Sequence, residues 1–246
     1  MSFSPALDRR SDNGVSILMD EAARSEGVLV AFTDRDGGVS RVPYASLNLG
    51  LRVGDDPPAV VTNRERVARA AGFQVDSLAL TRQVHGAEII EVGRAAGVIG
   101  EADGLVARGP GSVLGILTAD CAPVALAGDA GIALVHAGWR GVVAGVVERG
   151  VESVGRVRAA WIGPSVHACC YDVGLEVVAA FEARALPRGP GRRVDPARAA
   201  ETILRRLGID SIAVSSDCTH CNPRYFSHRR DGITGRQGAF LALVGE

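Results

Sequence analysis

The chain has 246 residues, 47% of them hydrophobic, with 27 basic and 28 acidic side chains and a formal net charge of -1. Such a chain can bury a sizeable core, and its near-neutral balance gives no reason to expect nucleic acid or an anionic membrane as a partner. All 27 cationic side chains are arginine, and the lack of lysine excludes Schiff-base chemistry and a Walker-type phosphate loop.

Residues 1–26 are polar and mixed in charge and read as a loosely ordered lead-in without a signal-peptide core. Five cysteines, an odd number without a leader, predict a reducing compartment and hence a cytoplasmic protein. A strand is predicted at 28–32, then a turn at 34–38. Asp55-Asp56-Pro57 starts a helix that runs to about Ala71 and stops at Gly72, with Arg64, Arg66 and Arg69 on a solvated face.

Short strands are expected at 77–81, 88–92, 113–117, 124–127 and 132–135, the last two joined as a hairpin through Gly128-Asp129-Ala130-Gly131. The apolar run 113–126 is interrupted by Asp120 and Pro123 and is too short to span a membrane. Val142, Val143, Val146, Val147, Val151 and Val154 fall at helical spacing. A strand at 158–162 and a helix at 174–185 follow. Asp195-Pro196 opens a helix that buries Ile203, Leu204 and Leu207 and ends at Gly208. Residues 212–215 form the last clear strand. With no repeat and no linker, the expectation is a lead-in at 1–27 and one catalytic α+β domain at 28–246, with mixed sheets flanked by helices.

Chemistry concentrates in Gln83-Val84-His85-Gly86, Ala119-Asp120-Cys121 and His136-Ala137-Gly138-Trp139-Arg140-Gly141. Two imidazoles and a thiolate are a full protein ligand set for a catalytic zinc with one position open. They are equally a nucleophilic cysteine with its base. The plain alternative is two hydrogen-bonded histidines and a small core cysteine. A ligand histidine needs an acidic partner, for which Asp120 and Glu88 are the nearest candidates. Cys218-Thr219-His220-Cys221 lacks a second spaced pair, because Cys169-Cys170 is adjacent. These four cysteines are therefore expected to hold neither a metal nor a required disulfide.

Several blocks resemble one known family. Phe32-Thr33-Asp34-Arg35-Asp36-Gly37-Gly38-Val39-Ser40 with Ser46-Leu47-Asn48-Leu49-Gly50 is similar to its opening motif, and the three segments above to its metal and catalytic motifs. Ile162-Gly163-Pro164 with Cys169-Cys170-Tyr171-Asp172-Val173-Gly174 resembles the next block, although His167-Ala168 departs from its usual Gly-Pro. Phe226-Ser227-His228-Arg229-Arg230-Asp231-Gly232 with Thr234-Gly235-Arg236 resembles its C-terminal signature. The family is that of laccase-domain purine nucleoside phosphorylases, also called polyphenol oxidases or peptidoglycan editing factors.

The resemblance implies mixed sheets flanked by helices, distantly like the deamidase toxins, and zinc on His85, Cys121 and His136, with these three also catalytic. It implies phosphorolysis of adenosine, inosine or methylthioadenosine, deamination of adenosine, and in bacteria the correction of peptidoglycan precursors carrying serine in place of alanine. It also favours a monomer. Arg35, Arg140, Arg229 and Asn48 are the substrate-binding candidates. Guanidinium groups bind phosphate bidentately, and Arg140 is favoured because it lies in a turn that opens a helix. A cysteine–histidine amidase acting on the peptidoglycan precursor is the alternative enzyme. A multicopper oxidase needs many more imidazoles than the five histidines present. Copper at the three-ligand site would be adventitious.

Overall fold

The computed structural model describes residues 4–245. Its strands are β1 (Asp8–Asp12), β2 (Val15–Met19), β3 (Val28–Thr33), β4 (Leu78–Arg82), β5 (Ile89–Glu91), β6 (Gly97–Glu101), β7 (Gly104–Ala107), β8 (Val113–Thr118), β9 (Ala122–Gly128), β10 (Gly131–Ala137), β11 (Val157–Ile162), β12 (Ile212–Val214) and β13 (Gln237–Leu243). The helices are α1 (Glu21–Ser25), α2 (Pro57–Ala71), α3 (Trp139–Ala144), α4 (Val146–Val154), α5 (Leu175–Ala183), α6 (Pro196–Arg206) and α7 (His228–Asp231). The strands form two mixed sheets in one α+β domain, ordered β1-β2-β3-β13-β8-β4-β6 and β12-β11-β9-β10-β7-β5.

Alternation along the strands explains the stacking, because successive side chains point to opposite faces. In β10, Ile132 and Leu134 face a cluster shared with Phe32, Leu114, Ile116 and Leu241 of the other sheet. Ala133, Val135 and Ala137 instead join a cluster with Val142, Val146 and Val147 of the following helices. In β3, Val30 and Phe32 face the space between the sheets, while Leu29 and Ala31 pack with Val67 and Ala71 of α2. The layers therefore run helix, sheet, sheet, helices, and both sheets are covered on both faces.

The predicted central elements appear with end shifts of a few residues. The valine-rich helical segment is divided at Gly145, whose φ of +89° ends α3 and starts α4. Asp195 caps α6 by accepting the Arg198 N–H at 2.9 Å. Leu207, expected in the core, lies just past α6 and is 48% exposed.

Two expectations for the chain ends are corrected. The lead-in contains a hairpin: β1 and β2 turn through Asn13-Gly14, both at positive φ, and β2 pairs with β3. Asn-Gly suits a two-residue hairpin because both central positions need positive φ. Val15, Ile17 and Met19 then enter the core with α2. Asp20 caps α1 and also accepts the Trp161 indole N–H at 2.8 Å, which anchors the segment to the second sheet. The last strand is β13, a central strand between β3 and β8, rather than 212–215. Buried on both faces, it has no alternating pattern to betray it.

The arginines of α2 also differ from expectation. Arg64 donates to the Leu49 carbonyl at 2.8 and 3.0 Å, and Arg66 to the Gly37 carbonyl at 2.9 Å. They brace the 34–50 loop, and Arg69 alone is exposed. No helix among the described residues is long and apolar enough to cross a membrane.

Candidate active site

β9 and β10 are antiparallel neighbours, with Ala122 opposite Ala137 and Pro123 opposite His136. Cys121, just before β9, and His136, near the end of β10, therefore share one end of two central strands. His85 reaches them from the turn between β4 and β5. The ligand atoms of His85, Cys121 and His136 lie within 4.8 Å of one another, and the two imidazoles meet edge-on with centroids 4.9 Å apart.

Asp103 is what brings His85 in. It sits between β6 and β7, fully buried. Its carboxylate accepts the backbone N–H groups of Val84 (3.1 Å), His85 (2.9 Å) and Gly86 (2.6 Å), and it faces His136 Nδ1 at 2.8 Å. Its own carbonyl accepts the His136 N–H at 2.7 Å. One buried carboxylate thus shapes the His85 turn and orients His136. Burial opposes its ionisation, but the His136 contact and the backbone donors outweigh this and hold its pKa below the ordinary value.

Neither sequence-based candidate fills this place. Glu88 pairs with Arg149 at the surface. Asp120 accepts the Thr219 hydroxyl and the Arg229 N–H, each at 2.7 Å. Those bonds hold Asp120 at a φ of +100° beside Cys121, and His85 itself sits at +61°. Positive φ at a non-glycine residue costs on the order of 1–3 kcal/mol and persists only where the surroundings enforce it.

Gly138 completes the close approach. A Cβ there would lie 3.0 Å from Cys121 Sγ and 3.1 Å from His85 Cδ2.

The charges of Cys121, His136 and His85 act on one another. Burial pushes the Cys121 thiol up, yet His136 and His85 overcome this and bring it down to about 6. Burial likewise disfavours the His136 cation, but the Cys121 thiolate and Asp103 raise it to about 9. Near neutrality the pair is thiolate and imidazolium.

The candidate substrate residues separate. Arg140 is exposed, its guanidinium 4.3 Å from the Trp139 ring. Arg229 donates to the Asp172 carbonyl and lies 5.6 Å from the Tyr171 ring. Tyr171 ties these groups together. Its pKa is pushed up to about 12, first by burial and then by Cys121 and Asp120, with Arg229 and Arg140 opposing.

Arg35 donates to the Ala45 carbonyl of its own loop at 2.7 Å and stacks on Phe226, which precedes α7. Asn48 is fully buried, and both ends of its amide are engaged. It donates to Gly50 O and Asp55 and accepts the N–H groups of Gly50 and Arg236. That corrects its assignment: it supports the Arg236 backbone and has no donor or acceptor left for a substrate.

Tyr171 and Arg236 are site residues that reasoning from the motifs passed over. Burial lowers the Arg236 pKa, while the negative charges of Cys121 and Asp120 raise it; its guanidinium donates to the Thr234 and Gly235 carbonyls at 3.0 and 2.9 Å. Both lie inside quoted motifs, but only the fold sets them against Cys121.

This architecture defines a site with two imidazoles and one thiolate, backed by a buried carboxylate. The family described as multi-copper polyphenol oxidoreductase laccase matches residues 29–244, and the chain belongs to it. The purine nucleoside phosphorylase YfiH of Escherichia coli K12 is 35% identical over 93% of this chain and 99% of its own length. The purine nucleoside phosphorylase of Deinococcus radiodurans is 41% identical over 87% of this chain and 88% of its own. The crystal structure of YlmD from Geobacillus stearothermophilus superposes with a TM-score of 0.86 at 32% identity, covering 96% of this chain and 98% of that one. Neisseria meningitidis NMB0706, of the DUF152 family, gives 0.81 at 34% identity, covering 89% and 95%.

Proposed function

We propose that this chain is a zinc-dependent purine nucleoside phosphorylase working at His85, Cys121 and His136, which takes adenosine, inosine and methylthioadenosine and also deaminates adenosine. The observation that carries this reading is the three-ligand group of His85, Cys121 and His136 backed by Asp103, with Arg140 and Arg229 acting electrostatically on the neighbouring Tyr171. The names borne by the relatives support it.

The donor set fits zinc. It comprises two nitrogens and one sulfur with a coordination position to spare. Asp103 engages His136 Nδ1 and leaves Nε2 to the metal. When bound, zinc supplies a Lewis acid and lowers the pKa of water in its open position. The protein does the rest. Asp103 keeps His136 in one tautomer, the arginines anchor phosphate, and Tyr171 stays protonated as a neutral donor. In phosphorolysis a phosphate oxygen bonds to C1′ of the ribose as the bond to purine N9 breaks. In deamination water adds at C6, its oxygen stays on the carbon as the C6–N bond breaks, and the amino group leaves as ammonia with the proton that water gives up. The same reading makes the protein a cytoplasmic monomer whose partners are nucleoside and phosphate.

Zinc-loaded protein should convert adenosine and methylthioadenosine to adenine plus a sugar 1-phosphate only when phosphate is supplied, and adenosine to inosine without it. Chromatography of the products decides this. Absence of free base from every nucleoside at every phosphate concentration would refute the phosphorylase.

One observation favours the amidase as second reading: Cys121, His136 and Asp103 are arranged as nucleophile, base and orienting carboxylate. That enzyme would cleave the serine-containing precursor in water alone and would be inhibited by zinc.

A further inference from the structure

Four of the five cysteines have no part in the reaction above. Cys169 and Cys170 lie in the loop that follows β11, and Cys218 and Cys221 in the loop that follows β12. A parallel bridge between Ser165 and Cys218 joins the loops, and the Thr219 N–H donates to the Ser165 carbonyl at 2.9 Å. The four sulfurs lie within 4.8 Å of one another. Individual separations are 3.7 Å for Cys169–Cys170, 3.5 Å for Cys169–Cys221 and 3.4 Å for Cys170–Cys218.

A tetrahedron with zinc–sulfur bonds of about 2.3 Å has sulfurs roughly 3.8 Å apart, close to what these thiols already show. A disulfide needs about 2.05 Å. An iron–sulfur cluster distributes its thiolates over several irons and would spread them wider.

We infer that Cys169, Cys170, Cys218 and Cys221 form a second, structural zinc site. It is closed, with four thiolates and no place for substrate. This reverses the expectation drawn from spacing, which discounted Cys169-Cys170 because the pair is adjacent. The fold makes adjacency workable by bringing Cys218 to one sulfur and Cys221 to the other. The surroundings suit an anionic centre. The His167 N–H points at Cys218 Sγ at 3.5 Å, and Cys169 borders a cleft whose charged lining is three arginines, Arg188, Arg193 and Arg198, against one carboxylate, Asp195. Cys169 and Cys221 are exposed, so a metal ion has a route in, while Cys218 is buried.

The site clasps two loops that wall the catalytic pocket. Thr219, next to Cys218, donates to Asp120, and Tyr171 follows Cys170 directly. The four cysteines are therefore positioning residues that touch neither substrate nor the three pocket ligands. The inference stands on the sulfur geometry and does not depend on the phosphorylase reading.

The test is metal analysis of protein purified reduced and without air. Wild type should carry two zinc ions per chain. Cys121→Ala should keep one, bound by four sulfurs near 2.3 Å in X-ray absorption. Cys218→Ser and the exposed Cys221→Ser should each lose one zinc and melt at lower temperature. The second variant serves if the buried one does not fold. The inference is overturned if Cys121→Ala holds no zinc, if iron occupies the cysteines, if neither serine variant changes the zinc count, or if the four thiols are recovered as disulfides.

Discussion

The His/Cys site and the four-cysteine cluster both gather metal-binding atoms within 4.8 Å, but by different means. In the pocket one buried carboxylate, Asp103, organises two of the three ligand segments, and a thiolate–imidazolium pair balances the charge. In the cluster two backbone loops meet edge to edge, with Asp195 accepting the Ala168 N–H at 3.2 Å, and among the described residues no carboxylate joins the four thiols as a ligand. With three protein ligands the pocket would leave a bound zinc one position open, whereas four thiolates would complete its tetrahedron. Proximity of ligands alone does not tell chemistry from scaffolding; the carboxylate on a ligand histidine does.

Loss of the pocket thiolate should have the largest effect. Cys121→Ala is expected to abolish phosphorolysis and deamination together, because the thiolate is either metal ligand or nucleophile. Assays of both activities on one preparation check this, and survival of either would mean separate machinery.

Asp103→Asn should weaken pocket zinc by about ten- to a hundred-fold, the usual effect of removing the partner of a ligand histidine. The cluster should keep its metal. Competition with a chelator of known affinity measures the first, and total zinc the second. Equal loss from both would show a general folding defect instead.

Arg140→Gln should raise the phosphate concentration needed for half-maximal phosphorolysis by roughly ten- to a hundred-fold, from about 1.5–3 kcal/mol for a charge-assisted hydrogen bond. Zinc content should stay unchanged. If Arg229→Gln or Arg236→Gln has the larger effect, the anchor moves to that residue.

The smallest effect is on proton inventory. With Cys121 depressed to about 6, its thiolate is lost as pH falls through 6, and the stability it confers declines with it. His136 is raised to about 9, so the stability it confers is full below its ordinary value of 6.5 and is lost as pH rises through 9. The metal-free ion pair therefore occupies the window from about 6 to 9. Alkylation of Cys121 in metal-free protein, followed by peptide mass, should show a midpoint near 6. A midpoint above 8 would mean that no such pair forms.

Local chemistry was readable from the sequence. Glycine turns flag His85, Cys121 and His136, and Asp195-Pro196 announces α6. The Asn13-Gly14 hairpin was equally readable and was masked by the polar residues of β1. Other features depend on distant parts of the chain. Asp103 stands in no motif and meets His136 only because β7 pairs with β10. Cys169 and Cys221 are 52 residues apart, and nothing local says that their loops touch. Asn48 sits in a recognisable motif, yet its saturated amide is visible only in three dimensions.

Removal and return of zinc in a single preparation tests the central claim most directly. Adenosine phosphorolysis should vanish when a chelator strips the pocket. It should return fully with one equivalent of zinc beyond that held by the four cysteines, and ribose 1-phosphate should appear in step with adenine. Undiminished turnover by protein whose pocket is metal-free would contradict the account and hand the site to the cysteine nucleophile.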